Sequence, residues 1–570
     1  MFSIPIPNLP YETSGSCARP KGLVVGCITL AALTALEILT FSVGGFFAVL
    51  TSYLWFAIGA FSFAYMCWSY LVALTSDLRR GSIWGLLPLA AALPVCFFNI
   101  DSFTFLNTES LSELHSTFGD LQKPDHAYTS VFWASYPSRS LVLNLIPTAL
   151  VGVTPWAYRA GFSYPIFFGS LFLFAAIRRY HIRERGASAV AALVSSGIFA
   201  YPMFCQISRT FEMAISSVSF GMWAISALLL FAAQPSATSA IVAAWSIGLL
   251  SASFTSGLGL VALLWALLGI WGARAFIRRD RSVATLVFAT LINCVVVGVS
   301  LYLIRPKTLR IKQIPVSEMV HNFSEALGYT FSLSQSVFGP AILVIPTALA
   351  FVFAVSLRSG ALPLILSLWC FPVIWSATNL HGKIGPQLPF ALYRSLIIIP
   401  VLLYVIGRLV LWILARLERF TWAARALPLV LAVALFMPLR NTYNAQGIFK
   451  PARPPEGREV VTLELVNFIT QNGLSPFSDA WIANRTDEKS IENFLPCLQY
   501  FFLNWTRIDR STPLPQAPND KRTGVIITMQ DDPLATQPFP GYQVTVQTIP
   551  ARLNPSKQVV LTAVVLRRED

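Results

Sequence analysis

Five carboxylates and two of the five histidines of this chain fall between Asn99 and Arg139, in a protein whose charged residues are only 12% of the whole. The carboxylates are Asp101, Glu109, Glu113, Asp120 and Asp125, and the histidines are His115 and His126. Carboxylates can take and give protons, so a crowd of them in a chain this poor in charge marks the place to look for chemistry. The rest of the chain reads as the scaffold that presents them.

That scaffold is a membrane. The 570 residues are 55% hydrophobic and 13% aromatic, with a mean hydropathy of +0.62, outside the range of soluble globular domains. The first twenty residues hold prolines, Glu12 and Arg19 in place of a basic start and a short apolar run, so the first apolar segment is expected to be a retained anchor. A net charge of +14 invites a nucleic-acid partner, but the arginines sit beside apolar spans, as they do in cytoplasmic loops, and no nucleic acid is expected. The eight cysteines show no CxxC or metal-type spacing, so neither a disulfide framework nor a zinc site is expected.

A span needs about 20 apolar residues, and basic residues mark the inner side. Arg19 and Lys21 hold the N-terminus inside, Gly22 to Thr40 crosses outward, and Gly45 to Leu74 returns to Asp77-Leu-Arg-Arg80. Ile83 to Phe98 then carries the acidic loop to the outer face. A full span over Leu141 to Val151 would place the basic loop Arg178 to Arg185 outside; the segment is short and contains Pro147, so a helix lying at the outer interface is expected there. Alternation then runs through Ala160–Ile177, Ala187–Phe204, Met213–Ala233, Ile241–Phe254, Gly257–Trp271, Val283–Leu303, Ala341–Leu357, Ala361–Trp375, Leu396–Leu414 and a short last span, Ala426–Leu439. The expectation is an α-helical polytopic membrane protein of about thirteen transmembrane helices. Glu37 falls near the outer end of the first span, where reaching the interface is easy, and no function attaches to it.

Beyond Arg440 a Pro-rich linker, Pro451 to Pro455, leads to a mixed segment. Helices are expected at Val460–Thr470 and Glu488–Trp505, and strands at Val525–Met529, Tyr542–Thr548 and Val559–Leu566. This reads as a small C-terminal α/β domain on the outer face. The domain expectation is a two-helix addition at 1–80, a transmembrane core at 81–440 with external loops at 99–159, 205–212, 304–336 and 376–395, and the extracytoplasmic α/β domain at 441–570.

The layout resembles the GT-C superfamily of polyprenyl-phosphate-dependent glycosyltransferases, near the protein O-mannosyltransferases and the aminoarabinose transferases. The residues that carry the resemblance are Thr108-Glu109 opening a helix, Gly119-Asp120, Tyr136-Pro137, then Gly152, Trp156 and Arg159, followed by Ser208-Arg209-Thr-Phe-Glu212, Phe254-Thr255-Ser256-Gly257 and Tyr393-Arg394. It covers roughly Ile83 to Leu414. Two departures stand out: the family's Asp-Glu pair is Thr108-Glu109 here, with Asp101 eight residues before Glu109, and its His-Pro-Pro is Tyr136-Pro137-Ser138.

The resemblance implies transfer of a sugar from a polyprenyl phosphate to an acceptor hydroxyl on a glycan, lipid or protein, with inversion, at the outer leaflet of a bacterial inner membrane. Such a reaction needs a carboxylate base close to the membrane surface. Asp101, three residues past Phe98, fits the depth; Glu109 fits the family's helix-start position, with Thr108 as its cap. Asp101 and Glu109 both stand as the base, with Asp120 behind them; the other reading is that these are ordinary solvated loop carboxylates, as Glu113 and Asp125 are taken to be. Glu212 is either part of the site or the partner of Arg209 or Arg159 in an ion pair. The leaving phosphate calls for guanidinium groups, and the candidates are Arg394 first, then Arg159, Arg209 and Arg139, with the cluster Arg305, Lys307, Arg310 and Lys312 either joining them or sitting among lipid head groups. His115, His126, His321 and His381 all fall on the outer side, so a divalent metal is one reading and ordinary surface histidines, given their scattered spacing, the other. Competing classes are an O-antigen-type polymerase or ligase, a non-catalytic family relative, and a transporter, which would carry ionisable residues and broken helices at mid-membrane.

Overall fold

The computed structural model describes residues 20–43, 46–100, 143–144, 146–151, 155–209, 215–253, 257–304, 317, 398–417, 421–449, 458–474, 480–485, 506–508, 523–529, 539–554 and 557–568. They divide into two compact units, one of Met1–Ile100, Phe132–Asn144 and Ala160–Lys450, the other of Asp101–Val131, Leu145–Arg159 and Pro451–Asp570. The helices are α1 Pro20–Val43, α2 Phe46–Arg79, α3 Leu86–Phe97, α4 Ile146–Val151, α5 Pro155–Tyr180, α6 Ala187–Gly197, α7 Pro202–Ser208, α8 Ile215–Ala233, α9 Ala237–Ser251, α10 Gly257–Ile277, α11 Arg281–Ile304, α12 Ile398–Arg416, α13 Thr421–Ala445 and α14 Arg458–Gln471.

Seven of the described helices are long and apolar enough to cross a membrane, and the protein is an α-helical polytopic membrane protein. The last, Ala426–Ala445 at 20 residues, is longer than its sequence pattern suggested. Within the first unit α1 lies along α11 and α9, α2 packs on α9, α10 on α11, α8 on α9, and α6 on α3 and α12. Without water to drive helices together, close packing and internal hydrogen bonds hold such a bundle. Trp223 of α8 shows both: its ring sits against Phe63, Phe172 and Phe220, and its Nε1 donates to Pro165 O at 2.7 Å.

Two segments depart from the expected spans. The outward segment at Ile83–Phe98 is helical over only 12 residues, Leu86–Phe97, about 18 Å at the usual rise against a hydrocarbon layer of about 30 Å. The segment Ala187–Phe204 is not one helix: α6 gives way to a 3-10 turn at Ile198–Ala200, a bend at Tyr201, and then α7. Pro202 is the cause, since it lacks the N–H that would continue the ladder and starts a new helix instead. The loop expected at 205–212 is therefore helical through Ser208. The interfacial segment is helical at Ile146–Val151, six residues and about 9 Å, too short to cross.

The second unit contains a five-stranded sheet of β1 Ala480–Asn484, β2 Thr506–Ile508, β3 Thr523–Met529, β4 Tyr542–Asn554 and β5 Lys557–Arg568, in the order β2-β1-β3-β5-β4. The β1 pairings with β2 and β3 are parallel; β3 with β5 and β5 with β4 are antiparallel. One face buries Trp481, Ala483, Ile526, Val564 and Leu566, alternate residues of their strands as a period of two requires. Helix α14 packs on β4. The three expected strands are present; β1 and β2, at five and three residues, were too short to leave a periodic trace. The helix expected at Glu488–Trp505 lies outside the described residues, as do the spans expected at Ala341–Leu357 and Ala361–Trp375.

Candidate active site

A helix leaves its last carbonyls without partners inside it, and in α3 those carbonyls are met by its own cap residue and by donors from other elements. Phe98 N donates to Pro94 O at 3.1 Å, and Ser163 Oγ, from α5, donates to Cys96 O at 2.7 Å. Arg209, in the turn after α7, serves the remainder. Its Nη1 donates to Val95 O at 2.9 Å and Pro94 O at 3.4 Å, and its Nη2 to Asn99 O at 3.1 Å. Arg209 is fully buried. A planar guanidinium is suited to this place, because its fork reaches several oxygens at once and its charge faces the negative end of the helix dipole.

Asn99 turns the chain. Its φ of 50° is left-handed, a conformation that Asn adopts more readily than other side chains. Its Nδ2 donates to Ile448 O at 3.0 Å. Ile448 is itself placed by the turn that ends α13: Gly447, at φ 61°, lets Gly447 N reach Asn444 O and Ile448 N reach Tyr443 O, the paired closure of a Schellman motif. The Phe98 ring meets Phe449 edge-on at 6.2 Å, and Tyr443 Oη donates to Ala91 O at 2.5 Å. Ile100 is fully buried. Segments distant in sequence, α5, the α7 turn and the α13 turn, thus fix where the chain leaves α3, two residues before Asp101.

The same economy recurs in α5. Pro165 has no N–H, so the carbonyl of Gly161 loses its helical donor; Asn144 Nδ2 supplies one at 2.7 Å. A side chain at Gly161 would strike the Asn144 carbonyl, which is why glycine stands there. Tyr164 Oη donates to Leu143 O at 2.9 Å.

At the other polar end of this unit, residues expected on the inner side gather. Arg178 of α5 pairs with Asp77 of α2 at 2.7 Å, both buried, with Ser76 and Ser188 completing the set. Arg179 bonds Gln234 after α8. A full span between Leu141 and Val151 would have put Asp77 and Arg178 at opposite ends. Beside them His181 Nδ1 donates to Glu184 Oε1 at 2.6 Å, its Nε2 faces Tyr404 Oη at 3.0 Å, and Arg408 lies 3.1 Å from Glu184. Burial pushes His181 below its ordinary pKa, with the Arg408 charge adding to the drop and Glu184 opposing it. Burial works against the Glu184 carboxylate, but its bond from His181 and the His181 and Arg408 charges outweigh this and hold its pKa low.

Of the sequence candidates, Arg159 and Arg209 are described. Arg159 is buried on the early part of α5 and belongs to the second unit. Arg209 is engaged by α3 carbonyls. Asp101, Glu109, Glu212, Arg139 and Arg394 lie outside the described residues, as do His115, His126, His321 and His381. Among the described residues no group of three or more His, Cys, Asp or Glu could hold a metal ion. Asn99, Ser163 and Tyr443 carry roles that sequence reasoning did not assign; the one available signal was Asn following an apolar run, a helix-stop pattern.

No family model matches this sequence, and no curated protein matches it. Among solved structures, the chain is similar to ArnT from Cupriavidus metallidurans in the apo state, with a TM-score of 0.48 and 12% identity, over 84% of this chain and 97% of that one. It is also similar to the same protein bound to undecaprenyl phosphate, with a TM-score of 0.45 and 12% identity, over 84% of this chain and 98% of that one.

Proposed function

We propose that this chain is an integral-membrane glycosyltransferase that moves a sugar from a polyprenyl phosphate to an acceptor hydroxyl of a glycan, lipid or protein, inverting the anomeric centre, at the outer leaflet of a bacterial inner membrane. The observation that carries the reading is the clamp on Asn99. Asn99, two residues before the first carboxylate of the acidic loop, is held through its Nδ2 on Ile448 O and its carbonyl on Arg209 Nη2, and a general base has to be held in place to act.

In this reading Asp101 or Glu109 takes the acceptor proton as the acceptor oxygen bonds to the anomeric carbon. The bond from that carbon to the phosphate oxygen breaks, and polyprenyl phosphate leaves with its electron pair. Arg394, Arg139 and Arg159 neutralise the leaving phosphate; Glu212 either belongs to the site or pairs with Arg159 or Arg209. Arg209, with both Nη atoms on main-chain carbonyls, serves by holding the helix end. Residues 1–80 form an addition to a catalytic core at 81–440, and 441–570 form an extracytoplasmic domain.

The test is an assay of the purified protein with polyprenyl-phosphate sugars, comparing wild type with Asp101→Asn, Glu109→Gln and Glu212→Gln. Loss of polyprenyl phosphate release in either of the first two identifies the base. Equal release by all four proteins overturns the site. Transport is the second reading, favoured by a helix broken at Ile198–Pro202 and by Glu37, buried within a span; movement of labelled donor across vesicles without sugar transfer would establish it.

A further inference from the structure

Four described helix ends close with the same pair of main-chain hydrogen bonds, and at one of them the usual residue is missing. After α2, Gly81 N donates to Leu78 O and Ser82 N to Asp77 O; after α13, Gly447 N to Asn444 O and Ile448 N to Tyr443 O; after α14, Gly473 N to Thr470 O and Leu474 N to Ile469 O. After α10, Arg279 N donates to Phe276 O and Asp280 N to Ala275 O, each at 3.0 Å. This closure needs a left-handed residue, and glycine supplies one without a steric penalty. The φ angles are 71° at Gly81, 61° at Gly447 and 74° at Gly473, and 64° at Arg279. An arginine in that conformation brings its Cβ against a carbonyl, a clash that glycine avoids.

Arg281, two residues on, also stands against a local cost. It opens α11, where the positive end of the helix dipole disfavours a cation. Asp280, between the two, caps α11 by accepting from Val283 N at 3.2 Å. With Arg274 and Arg278, the turn sets four arginines beside one carboxylate within eight residues. Arg278, Arg279 and Arg281 are exposed, and so are Phe276 and Ile277, at 64% and 78%. Both flanking helices are candidate membrane spans, so the turn lies where spans end, at the depth of lipid head groups. Strain retained at an exposed residue points to function more than to packing.

We propose that the turn between α10 and α11 is a binding site for the phosphate group of an anionic phospholipid. A guanidinium takes two phosphate oxygens at once, and the short, fully closed turn holds the arginines on a fixed backbone. Phe276 and Ile277 offer the acyl chains an apolar surface, which is what favours a lipid over a soluble phosphate. The site is distinct from the α3 helix end and does not depend on the glycosyltransferase reading.

The experiment uses the full-length protein purified in detergent, titrated with phosphatidylglycerol, with phosphatidylcholine and with inorganic phosphate. Bound lipid is counted by native mass spectrometry, and the unfolding midpoint of the lipid-free protein is measured alongside. Wild type is expected to bind phosphatidylglycerol saturably and phosphatidylcholine weakly, with little displacement of lipid by inorganic phosphate. Arg279→Gly keeps the turn and removes the guanidinium. Its lipid-free midpoint is expected to equal or exceed that of wild type, while its affinity for phosphatidylglycerol falls about fivefold, the share of one arginine at an anionic surface. Adding Arg281→Gln is expected to lower the affinity again by a similar factor. Unchanged affinity in Arg279→Gly, or equal binding of the two lipids by wild type, overturns the proposal. A lower lipid-free midpoint in Arg279→Gly assigns the arginine to the fold and overturns it as well. Full displacement by inorganic phosphate overturns the lipid and makes a soluble phosphate compound the ligand.

Discussion

Two buried arginines close the two polar ends of the helical unit, and they do it differently. Arg178 meets a carboxylate, Asp77, at 2.7 Å; Arg209 meets the carbonyls of Pro94, Val95 and Asn99. The first is a charge pair, in which each partner is the reason the other can be buried. The second is a helix cap, in which a charge satisfies dipoles that the fold has exposed. A pair can be dissolved by removing both members. A cap cannot, because the carbonyls belong to the backbone and stay. The contrast separates a device that holds elements together from one that sets where a chain segment begins.

The largest expected effect is at the pair. Asp77→Asn leaves the Arg178 charge buried without its counter-ion, and removal of one partner from a buried pair costs about 3–5 kcal/mol. Chemical denaturation in detergent should show it, and the double variant Asp77→Asn with Arg178→Met should recover a large part. If the double variant were as unstable as the single one, the pair would not be the reason for the loss.

The cap comes next. Arg209→Lys keeps the charge but not the fork, so one ammonium must choose between Val95 O and Asn99 O. A stability loss of about 1–3 kcal/mol is expected from the carbonyl left unsatisfied, along with a drop in sugar transfer larger than in Asp77→Asn at matched stability. Equal activity of the lysine variant and wild type would remove the cap from the function.

At Asn99 the turn and the hydrogen bond can be told apart. Asn99→Gly keeps the left-handed turn and loses the bond to Ile448 O, a net change of about 0.5–1.5 kcal/mol. Asn99→Ala adds the cost of a left-handed side chain, about 1–2 kcal/mol. The glycine variant should be the more stable of the two in thermal unfolding; the reverse order would mean that the turn is not what matters.

The smallest effect is a pH dependence at the Arg178 end. His181 has a folded pKa below its usual value of about 6.5, so below that value the unfolded chain takes up the proton more readily than the folded one. Stability contributed at this site is present above about pH 6.5 and is lost as pH falls through the lowered folded value. Glu184, also lowered, acts in the same direction in a more acid range. Unfolding midpoints of wild type and His181→Gln between pH 8 and pH 5 should converge on a flatter profile for the variant.

Much of this was legible in the residues. Basic clusters at Asp77–Arg80 and Arg178–Arg185 sorted span ends so well that Asp77 and Arg178, 101 residues apart, meet. The β-branched runs at Val525–Met529 and Val559–Leu566 became β3 and β5, paired antiparallel in the register Val525 to Val565. The site was less legible. Arg209 stands in a Ser-Arg sequence beside Glu212, which on its own suggests a carboxylate or phosphate partner; nothing local says that its partners are carbonyls 110 to 115 residues earlier, at and just past the end of a helix. The burial of Glu37, 3% exposed, was not legible for the related reason that depth along a helix can be counted, but the face that a residue presents, and what packs there, cannot.

The sequence by itself determined the solvent: apolar runs of membrane-spanning length, basic marks at alternate ends, and a mixed tail with strand patterns. These are local properties, set by composition over about twenty residues. The tertiary structure alone decided which polar groups become partners, because in a membrane each orphaned carbonyl and each buried charge must find a donor or counter-ion wherever the packing brings one. Arg209 on the end of α3, Asn144 on the carbonyl freed by Pro165, and Arg178 on Asp77 are all answers to that requirement, and each joins residues that lie apart in the sequence.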